Sequence, residues 1–575
     1  MDTNNSGFSL RAVLIATGLS LFLLLSTFYI AVKLGAAPWP VIFSVIVSAA
    51  VIKALNRHKK INLHEINVAQ AGGSIGGLVA AGVAFTLPGI FYLHRTHGIE
   101  VTLPDPLLLG ILIAAAGLLG LLLSVPLKIT FIDEENLPYP AGTAGAELLK
   151  LVDKRNSDLT VVLIVGALAG LFTLIRDLSF PGGFMLVSIA SLGILLPFLP
   201  LPIAAGAGYI LGPRASFSWL AGALSGGFLL TPYFIVTGSS ADLTSGYIKN
   251  LGMGMVMGSG MSFLIGYVLP RLGKIFRPVL STQPRYKFLL LAVIGIGLFG
   301  LLLNNVPLPA ALLTLVLIWA MVAVAARMTG ETNIDPLEQF GIFVTLLIAA
   351  FYTLFSITLP ISTLLMIAMA VSVACAVAGD AGHDYKSAMI LHTKFSDIIK
   401  IDAITVLVTG LAAPFVFDIF VSAFQNELFT SIMPAPQAQL VADSLNGFEH
   451  PALFFAGFII AFSGEIINRF LPAKLKDLLL WMPFGIGLFL GPGLALPIAI
   501  GAAISVWINK KHPDKFHTGI LIAAGIMGAE GIAGFAAGAL TIFGITAVTS
   551  TIVLGILFFI VLLAGIWIQK NIKIL

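Results

Sequence analysis

Residues 8–32, FSLRAVLIATGLSLFLLLSTFYIAV, form one continuous apolar run. A helix needs about 20 such residues to cross the hydrocarbon core of a bilayer. The run is too long for the core of a signal peptide, and no clear cleavage site follows it. We therefore interpret residues 8–32 as a retained membrane span.

Similar runs follow along the whole chain and predict about 16 spans. Continuous runs of this length favour helices over the alternating strands of a membrane barrel. Two stretches are ambiguous: Pro197, Pro200 and Pro202 interrupt residues 183–211, and residues 478–507 fit either one long broken helix or two short pieces. The sequence therefore predicts an all-α, polytopic membrane protein with broken or re-entrant segments. The other runs start near residues 37, 67, 106, 158, 183, 213, 248, 287, 308, 339, 361, 401, 451, 478 to 493, 517 and 543.

Composition excludes several other classes of protein. Hydrophobic residues make up 58% of the 575 residues, charged residues 10%, and the mean hydropathy is +1.03. Soluble proteins carry about 25% charged residues, so a soluble enzyme, a disordered chain and a nucleic-acid binder are excluded. The single cysteine, Cys375, excludes an intrachain disulfide and a cysteine-based metal cage. No cofactor is expected.

The distribution of charge predicts the orientation in the membrane. Residues 53–60 and 271–287 are basic, and the positive-inside rule places both on the cytoplasmic side. We expect a multi-pass protein of the inner or plasma membrane with a cytoplasmic N-terminus. Residues 130–157 are rich in small apolar residues, which favours a short re-entrant or interfacial piece. Residues 424–450 are polar and are expected outside.

An internal repeat is visible in three pairs of segments. GYILGP at 208–213 matches GLFLGP at 487–492, MVMG at 255–258 matches GIMG at 525–528, and AGG at 71–73 weakly matches AGD at 378–380. The shared order predicts two pseudo-symmetric halves, residues 1–285 and 286–575, of about eight spans each and in the same orientation. Transporters commonly bind substrate between such halves, on helices broken by Gly or Pro.

Several motifs, in the same order, resemble the oligopeptide transporter (OPT) family. They are NVAQAGGSIG at 67–76, GVAFTLP at 82–88, LPYPAGTA at 137–144, GAGYILGP at 206–213 and AGDAGHDYK at 378–386. The LPYPxGTA and AGDxxxDxK patterns are more similar to the yellow-stripe and prokaryotic members, and the Asn-Pro-Gly motif of the peptide branch is absent. The resemblance implies a proton-coupled importer of short peptides or of metal–chelate complexes.

The AGDAGHDYK motif supplies the main candidate site. If the segment is helical, Asp380, His383 and Asp384 share one face, with Lys386 close by. Three interpretations are open: a metal site, a polar loop between two spans, and a role in the substrate path or in coupling. The resemblance favours the last, so Asp380, Asp384 and Lys386 are candidate substrate residues, Asp380 is also a candidate proton carrier, and no metal site is predicted.

Two isolated acids are further candidates for proton coupling. Glu530 is the only charged residue between His517 and Lys570, and a lone carboxylate in a span usually faces a cavity or a proton path. The alternative is a protonated acid bonded to a neighbouring carbonyl. Glu465 is isolated in an apolar run, but Arg469 lies four residues later, so a structural ion pair is its alternative.

Uncharged polar residues and one cation complete the predicted substrate path. Asn67 and Gln70 suit a peptide backbone or a chelate, although a helix cap with helix–helix bonding explains them equally well. Tyr209 lies in the 206–213 motif, and Asn468 lies beside Glu465. Arg214 could bind an anionic group or serve as a topology anchor. The glycines at 72, 73, 76, 77, 254 and 258 are more typical of close helix packing.

Comparison of function classes favours a secondary transporter. An ATP-driven pump is excluded within this chain, because GxxxxGK[ST] does not occur. A channel would need a repeated filter-like sequence, and none is visible. Val377-Ala-Gly-Asp380 only loosely resembles the Gly-x-Gly-Asp loop of intramembrane aspartyl proteases, so no enzyme is predicted. We expect a proton symporter of small oligopeptides, with metal–chelate import as the alternative. Its partners are the small solute, protons and the lipid bilayer, without nucleic acid, and a homodimer is left open.

Overall fold

A computed structural model describes residues 6–542, except 36, 38–39, 56–61, 152–155, 180–183, 264, 267–283, 334, 431 and 473–478. The described chain is almost entirely helical, with one small two-stranded sheet. Its helices are α1 (Leu10–Leu34), α2 (Val41–Leu55), α3 (Leu63–Ala84), α4 (Gly89–His97), α5 (Pro106–Ser124), α6 (Pro140–Leu151), α7 (Asn156–Ser179), α8 (Pro202–Leu211), α9 (Pro213–Leu224), α10 (Thr231–Val236), α11 (Ala241–Phe263), α12 (Pro284–Leu303), α13 (Leu308–Thr332), α14 (Leu337–Thr353), α15 (Ile361–Leu391), α16 (Phe395–Phe424), α17 (Pro436–Asn446), α18 (Pro451–Phe470), α19 (Trp481–Leu490), α20 (Pro492–Lys511) and α21 (Phe516–Ile542).

This architecture confirms the all-α, polytopic prediction. Among the described residues, 10 helices are long and apolar enough to cross a membrane, and shorter apolar helices such as α8, α14 and α19 accompany them. The difference from the predicted span number arises mainly because several apolar runs form short helices. The predicted span near residue 543 and most of both basic segments lie outside the described residues.

The ambiguous stretch 183–211 combines a β-hairpin with a short helix. Strands β1 (Phe184–Ile189) and β2 (Ile194–Phe198) pair antiparallel, with a register shift between Met185 and Val187. Helix α8 begins at Pro202. Proline is tolerated at this position because the N–H groups of the first turn have no partner within the helix, so its missing N–H costs no hydrogen bond. The span expected near residue 183 is therefore replaced by strands, because Pro197, Pro200 and Pro202 prevent a continuous helix there.

The two copies of the GxxLGP motif have the same geometry. Gly212 separates α8 from α9 with φ 80° and ψ 175°, and Gly491 separates α19 from α20 with φ 71° and ψ −174°. Only glycine adopts this conformation without strain. In both copies a proline follows and begins the next helix. The repeated motif thus specifies a repeated helix break.

The two broken helix pairs also contact each other reciprocally. A side chain at Gly208 would collide with the carbonyl of Ile498, and one at Gly487 would collide with the carbonyl of Trp219. Gly487 and Ile498 follow Gly208 and Trp219 at one constant offset along the chain. The contact is therefore pseudo-symmetric, while the predicted boundary between residues 285 and 286 stays a prediction.

The two helices that carry the weakest repeat pair run in opposite directions, while the expected common orientation of the two halves stays a prediction. Helices α3 and α15, which carry the AGG and AGD segments, are antiparallel, because Asn67, Gln70 and Ser74 meet successively earlier residues of α15. The packing around them is reciprocal, since α3 packs on α16 as α15 packs on α5.

The helices form two packed groups. Bundle A contains α1–α6 and α12–α17, with α15 at its centre, and bundle B contains α7–α11 and α18–α21. The bundles meet where α1, α2 and α16 contact α21 and where α14 contacts α11. Loop 424–450 is not simply solvated, because α17 lies within it and most of its residues, Pro436 to Asp443, are buried.

Candidate functional site

Helix α15 carries the AGDAGHDYK motif through the middle of bundle A. Pro360 precedes its first residue, and His392, with φ 56°, ends it in the left-handed conformation. The side chains of Asp380, His383 and Asp384 are completely buried. The polar-loop interpretation of these residues is therefore wrong, because they lie inside a helix that other helices surround.

Three carboxylates, from Asp380, Asp384 and Asp402, form a group that we call the carboxylate cluster. Asp402 lies on α16, which packs against α3, and it is also completely buried. Asp384 and Asp402 lie within electrostatic range of Asp380. Ser74 donates to Asp380 Oδ2 at 2.7 Å, and Gln70 Nε2 donates to Asp384 Oδ1 at 3.2 Å.

Much of the hydrogen-bonding capacity of this cluster is unused. Among the described residues, Asp380 Oδ1, Asp384 Oδ2, both oxygens of Asp402 and Oε1 of Gln70 have no hydrogen-bond partner. No ion pair joins a described cation to these three acids. Ionised carboxylates without such partners are costly in a low-dielectric interior. The arrangement therefore favours neutral, protonated acids over three buried charges.

A line of polar groups connects the carboxylate cluster with the end of α3. Gln70 Nε2 also lies 3.2 Å from Asn67 Oδ1, which accepts from Ser387 at 3.0 Å. Asn67 Nδ2 donates to Thr393 at 3.1 Å, and Thr393 lies 3.2 Å from Nδ1 of the half-buried His64. The line ends on the side at which α1 begins, which the sequence predicts to be cytoplasmic.

Asn67 and Gln70 therefore lie at helix contacts and not at a helix start. Helix α3 begins at Leu63, and the side chain of Asn62 accepts from the His64 N–H and caps it. The helix-cap interpretation of Asn67 is wrong for this reason. Lys386 lies apart from the three acids, because its Nζ donates to Asn136 Oδ1 at 2.6 Å.

His383 and the LPYPAGTA motif form a packing contact. The backbone N–H of Gly142 donates to His383 Nδ1 at 3.1 Å, and the Tyr139 ring meets the His383 ring edge-on at 5.6 Å. Tyr139 is fixed by its hydroxyl, which donates to the carbonyl of Ala326 at 2.8 Å. Within the described part of the chain, no group of three or more His, Cys, Asp or Glu side chains could hold a metal ion.

Glu530 belongs to a second buried group, the ion-pair cluster, with Tyr29, Lys33, Arg176 and Asp177. Arg176 Nη1 donates to Glu530 Oε1 at 2.5 Å, and the N–H of Ile203 donates to Glu530 Oε2. Arg176 Nε donates to Asp177 Oδ1 at 2.8 Å, and Lys33 Nζ lies 3.6 Å from the same oxygen. Tyr29 donates to Asp177 Oδ2 at 2.7 Å.

The isolation of Glu530 in the sequence is thus not isolation in space. The ion-pair cluster contains two cations and two anions, drawn from α1, α7 and α21. Such pairing gives Glu530 a structural explanation, while its role in proton coupling stays a prediction.

The remaining candidates lie outside both clusters. Ser259 donates to Glu465 Oε1 at 2.6 Å, and Arg469 donates to the carbonyl of Ser262 at 2.8 Å, at the contact of α18 with α11. Asn468 is buried on the same helix. Tyr209 donates to the carbonyl of Phe516 at 3.2 Å. Arg214 is exposed just after the Gly212 break, as a topology anchor would be.

The glycine-rich segments pack helices together. A side chain at Gly76 would collide with the carbonyl of Ser20 on α1. The backbone of Gly72 faces Ile401 and Thr405 of α16. Side chains at Gly254 and Gly258 would collide with carbonyls of α18. These contacts explain why small residues occupy the positions, since they let helix backbones approach closely.

A scan against family models matches the description "OPT oligopeptide transporter protein" at residues 8–281 and 284–541. The chain belongs to the OPT oligopeptide transporter family. It is therefore a multi-pass membrane transporter and not an enzyme. The chain is also similar to a protein of Haemophilus influenzae (strain ATCC 51907 / DSM 11121 / KW20 / Rd) named "Putative oligopeptide transporter", with 29% identity over 215 residues. That match covers 36% of this chain and only 32% of the relative.

Sequence reasoning missed several residues of this OPT protein. Asp402 follows Asp397 and Lys400 at the start of the apolar run that the sequence predicts from about residue 401, where charged residues are ordinary. The signal that could have revealed it is that this run already begins before Asp402. Arg176, Asp177 and Lys33 lie near the ends of apolar runs, where charged residues are ordinary. Only the packing of α1, α7 and α21 shows that they meet Glu530.

Proposed function

We propose that this OPT protein is a secondary active importer of small oligopeptides that uses proton symport. The observation that carries the proposal is the carboxylate cluster, a set of buried acids without a cation partner among the described residues. A protonated acid is neutral, so it can stay buried in a low-dielectric interior while its helix moves. It can release the proton when the movement exposes it to water.

The polar line from Gln70 to His64 supports a release path. It consists of hydrogen-bonding side chains from α3 and α15 together with Thr393, and it begins at Asp384. Water that enters along this line would reach the acids from the side at which α1 begins. In this proposal Asp380 and Asp384 carry the proton, Asp402 tunes their electrostatics, and the cell membrane with a cytoplasmic N-terminus is the location.

Transport into proteoliposomes tests the proposal. The protein is reconstituted, and uptake of radiolabelled trialanine is followed under an imposed inward proton gradient, with and without an uncoupler. We expect accumulation that is electrogenic, because a proton crossing with the membrane potential supplies about 2.3 kcal/mol per 100 mV. Trialanine uptake that changes neither with the pH gradient nor with the uncoupler would exclude proton symport.

Metal–chelate import is the second candidate, because the LPYPAGTA and AGDAGHDYK motifs resemble the yellow-stripe branch. The same vesicles decide between the two. Excess unlabelled iron chelate is added as a competitor of trialanine uptake, and its own proton-driven accumulation is measured. Accumulation of the chelate without uptake of trialanine would favour this candidate over peptide import.

A further inference from the structure

The start of α14 places a third group of buried polar side chains between the two bundles. Asp335, Glu338 and Gln339 lie within five residues of one another around Pro336, and Glu338 and Gln339 are buried. Ser372, near the middle of α15, donates to the carbonyl of Leu337 at 3.1 Å. Asp335 also lies within electrostatic range of Cys375. The group is therefore deep in the molecule, beside the central helix.

The group faces bundle B. A Cβ added to Gly260 of α11 would lie 3.1 Å from Cγ of Gln339, and α11 is part of bundle B. A corresponding contact between the bundles is formed by α2 and α21, where the ring of Phe43 lies against Gly528. One contact is therefore acidic and polar while the other is aromatic. Relative movement of the bundles would open a space with these two different walls.

The polar atoms at the start of α14 are not explained by the fold. Among the described residues, both carboxylate oxygens of Asp335 and the amide oxygen of Gln339 lack a hydrogen-bond partner, while the amide group of Gln339 lies next to the carboxyl group of Glu338. No side chain caps the helix at Pro336. The cation of the preceding helix, Arg327, is bound to Glu135 and Glu331, with Nη2 at 2.8 Å and 3.0 Å from their oxygens. No described cation forms an ion pair with Asp335 or Glu338, and burial of an acid without such a partner is costly.

We infer that Asp335, Glu338 and Gln339 bind the N-terminal ammonium group of a peptide substrate. An ammonium group offers three donors and one positive charge, which match the free carboxylate oxygens and the amide oxygen. An anionic chelate could not supply the positive charge that these acids lack. This inference rests on the proposed function, and it names the part of the peptide that the protein recognises.

Uptake of trialanine and of N-acetyl-trialanine into proteoliposomes tests the inference. We expect the transport efficiency for trialanine to be at least about tenfold higher than for N-acetyl-trialanine, because acetylation removes a charged hydrogen-bonding group. Glu338→Gln and Asp335→Asn should reduce this preference about tenfold by raising KM for trialanine alone. The exposed Asp242→Asn on α11 is the matched control and should keep the preference.

The outcomes separate the two proposals. If neither peptide is transported, the proposed function fails. If both are transported equally well, or if the acid variants lower both rates in proportion, peptide transport stands and the ammonium site is wrong. For a variant that folds but does not transport, binding is measured instead, as the rise in melting temperature that trialanine causes. An unchanged trialanine-dependent rise would likewise overturn the site.

Discussion

The carboxylate cluster and the ion-pair cluster are both buried, yet they solve the problem of buried charge in opposite ways. In the ion-pair cluster Lys33 and Arg176 offset Asp177 and Glu530, and every acid accepts hydrogen bonds. In the carboxylate cluster three acids share a space with hydroxyl and amide groups but with no cation to which the structure joins them. A compensated group holds its charges permanently, whereas an uncompensated group can change its charge.

This difference separates a structural role from a role in coupling. Removing one member of a compensated group leaves an opposite charge buried and unpaired, which costs stability. Removing the charge of an acid that is neutral in its resting state costs little stability, but it removes the capacity to carry a proton. The two clusters should therefore respond to equivalent substitutions with different losses.

The largest effect is expected for Asp380→Asn. The amide keeps the size and still accepts from Ser74, but it cannot bind and release a proton. We expect proton-driven accumulation of trialanine to fall at least about a hundredfold, which corresponds to a contribution of about 2.7 kcal/mol or more from the coupling step. Exchange of trialanine across the membrane should be retained. Asp242→Asn is the control, and accumulation by Asp380→Asn at the wild-type level would refute the coupling role.

Arg176→Met should cause the largest loss of stability. It leaves Glu530 buried without its cation, so we expect a cost of about 3–5 kcal/mol, seen as a lower melting temperature in detergent. The exposed pair of Lys150 and Glu147 provides the control, because Lys150→Met should cost less than about 1 kcal/mol. The double variant Arg176→Met with Glu530→Gln should recover part of the loss. Equal melting temperatures of Arg176→Met and the wild type would contradict the claim that Arg176 compensates the buried charge of Glu530.

Glu530→Gln distinguishes the two roles for one residue. If Glu530 is a structural partner of Arg176, Glu530→Gln should lower the free energy of unfolding by about 1–3 kcal/mol. A charged hydrogen bond is lost, but Arg176 keeps its hydrogen bond to Asp177. We expect accumulation of trialanine to persist in this variant. The sequence alone predicts the reverse, a coupling acid whose loss abolishes accumulation but keeps exchange, and that result in a folded variant would reinstate Glu530 as a proton carrier.

Asp402→Asn should have the smallest effect on stability. Neither oxygen of Asp402 has a hydrogen-bond partner among the described residues, so the amide gives up no bond. We expect the free energy of unfolding to change by less than about 1 kcal/mol or to rise, since replacing an uncompensated buried acid is often neutral or stabilising. A drop as large as that of Arg176→Met would place Asp402 with the compensated acids.

The sequence predicted the membrane fold and two of the three acids of the carboxylate cluster because both depend on local patterns. Long apolar runs indicate helices without knowledge of their neighbours. Asp380 and Asp384 lie in one motif, and their spacing of four residues already places them on one helix face. Asp402 lies on another helix, so no local pattern could join it to them.

Orientation and pairing depended on information that is not local. The match between GYILGP and GLFLGP correctly indicated a repeated helix break, but it contains no sign of direction. The direction of each copy depends on the number of membrane crossings between them, which a short match of six residues does not contain. Glu530 shows the same limit, because Arg176 lies far away in the sequence and next to it in space.

The burial of Cys375 in the centre of α15 makes site-directed labelling direct. This thiol is the only one in the chain and is completely enclosed, so maleimide and nitroxide reagents should not reach it. A cysteine introduced at the exposed Lys150 of bundle A or at the exposed Asp242 of bundle B can therefore be labelled without first removing a native one. Pairs of such labels on the two bundles would report their relative motion by spectroscopic distance, in a protein whose central helix is left untouched.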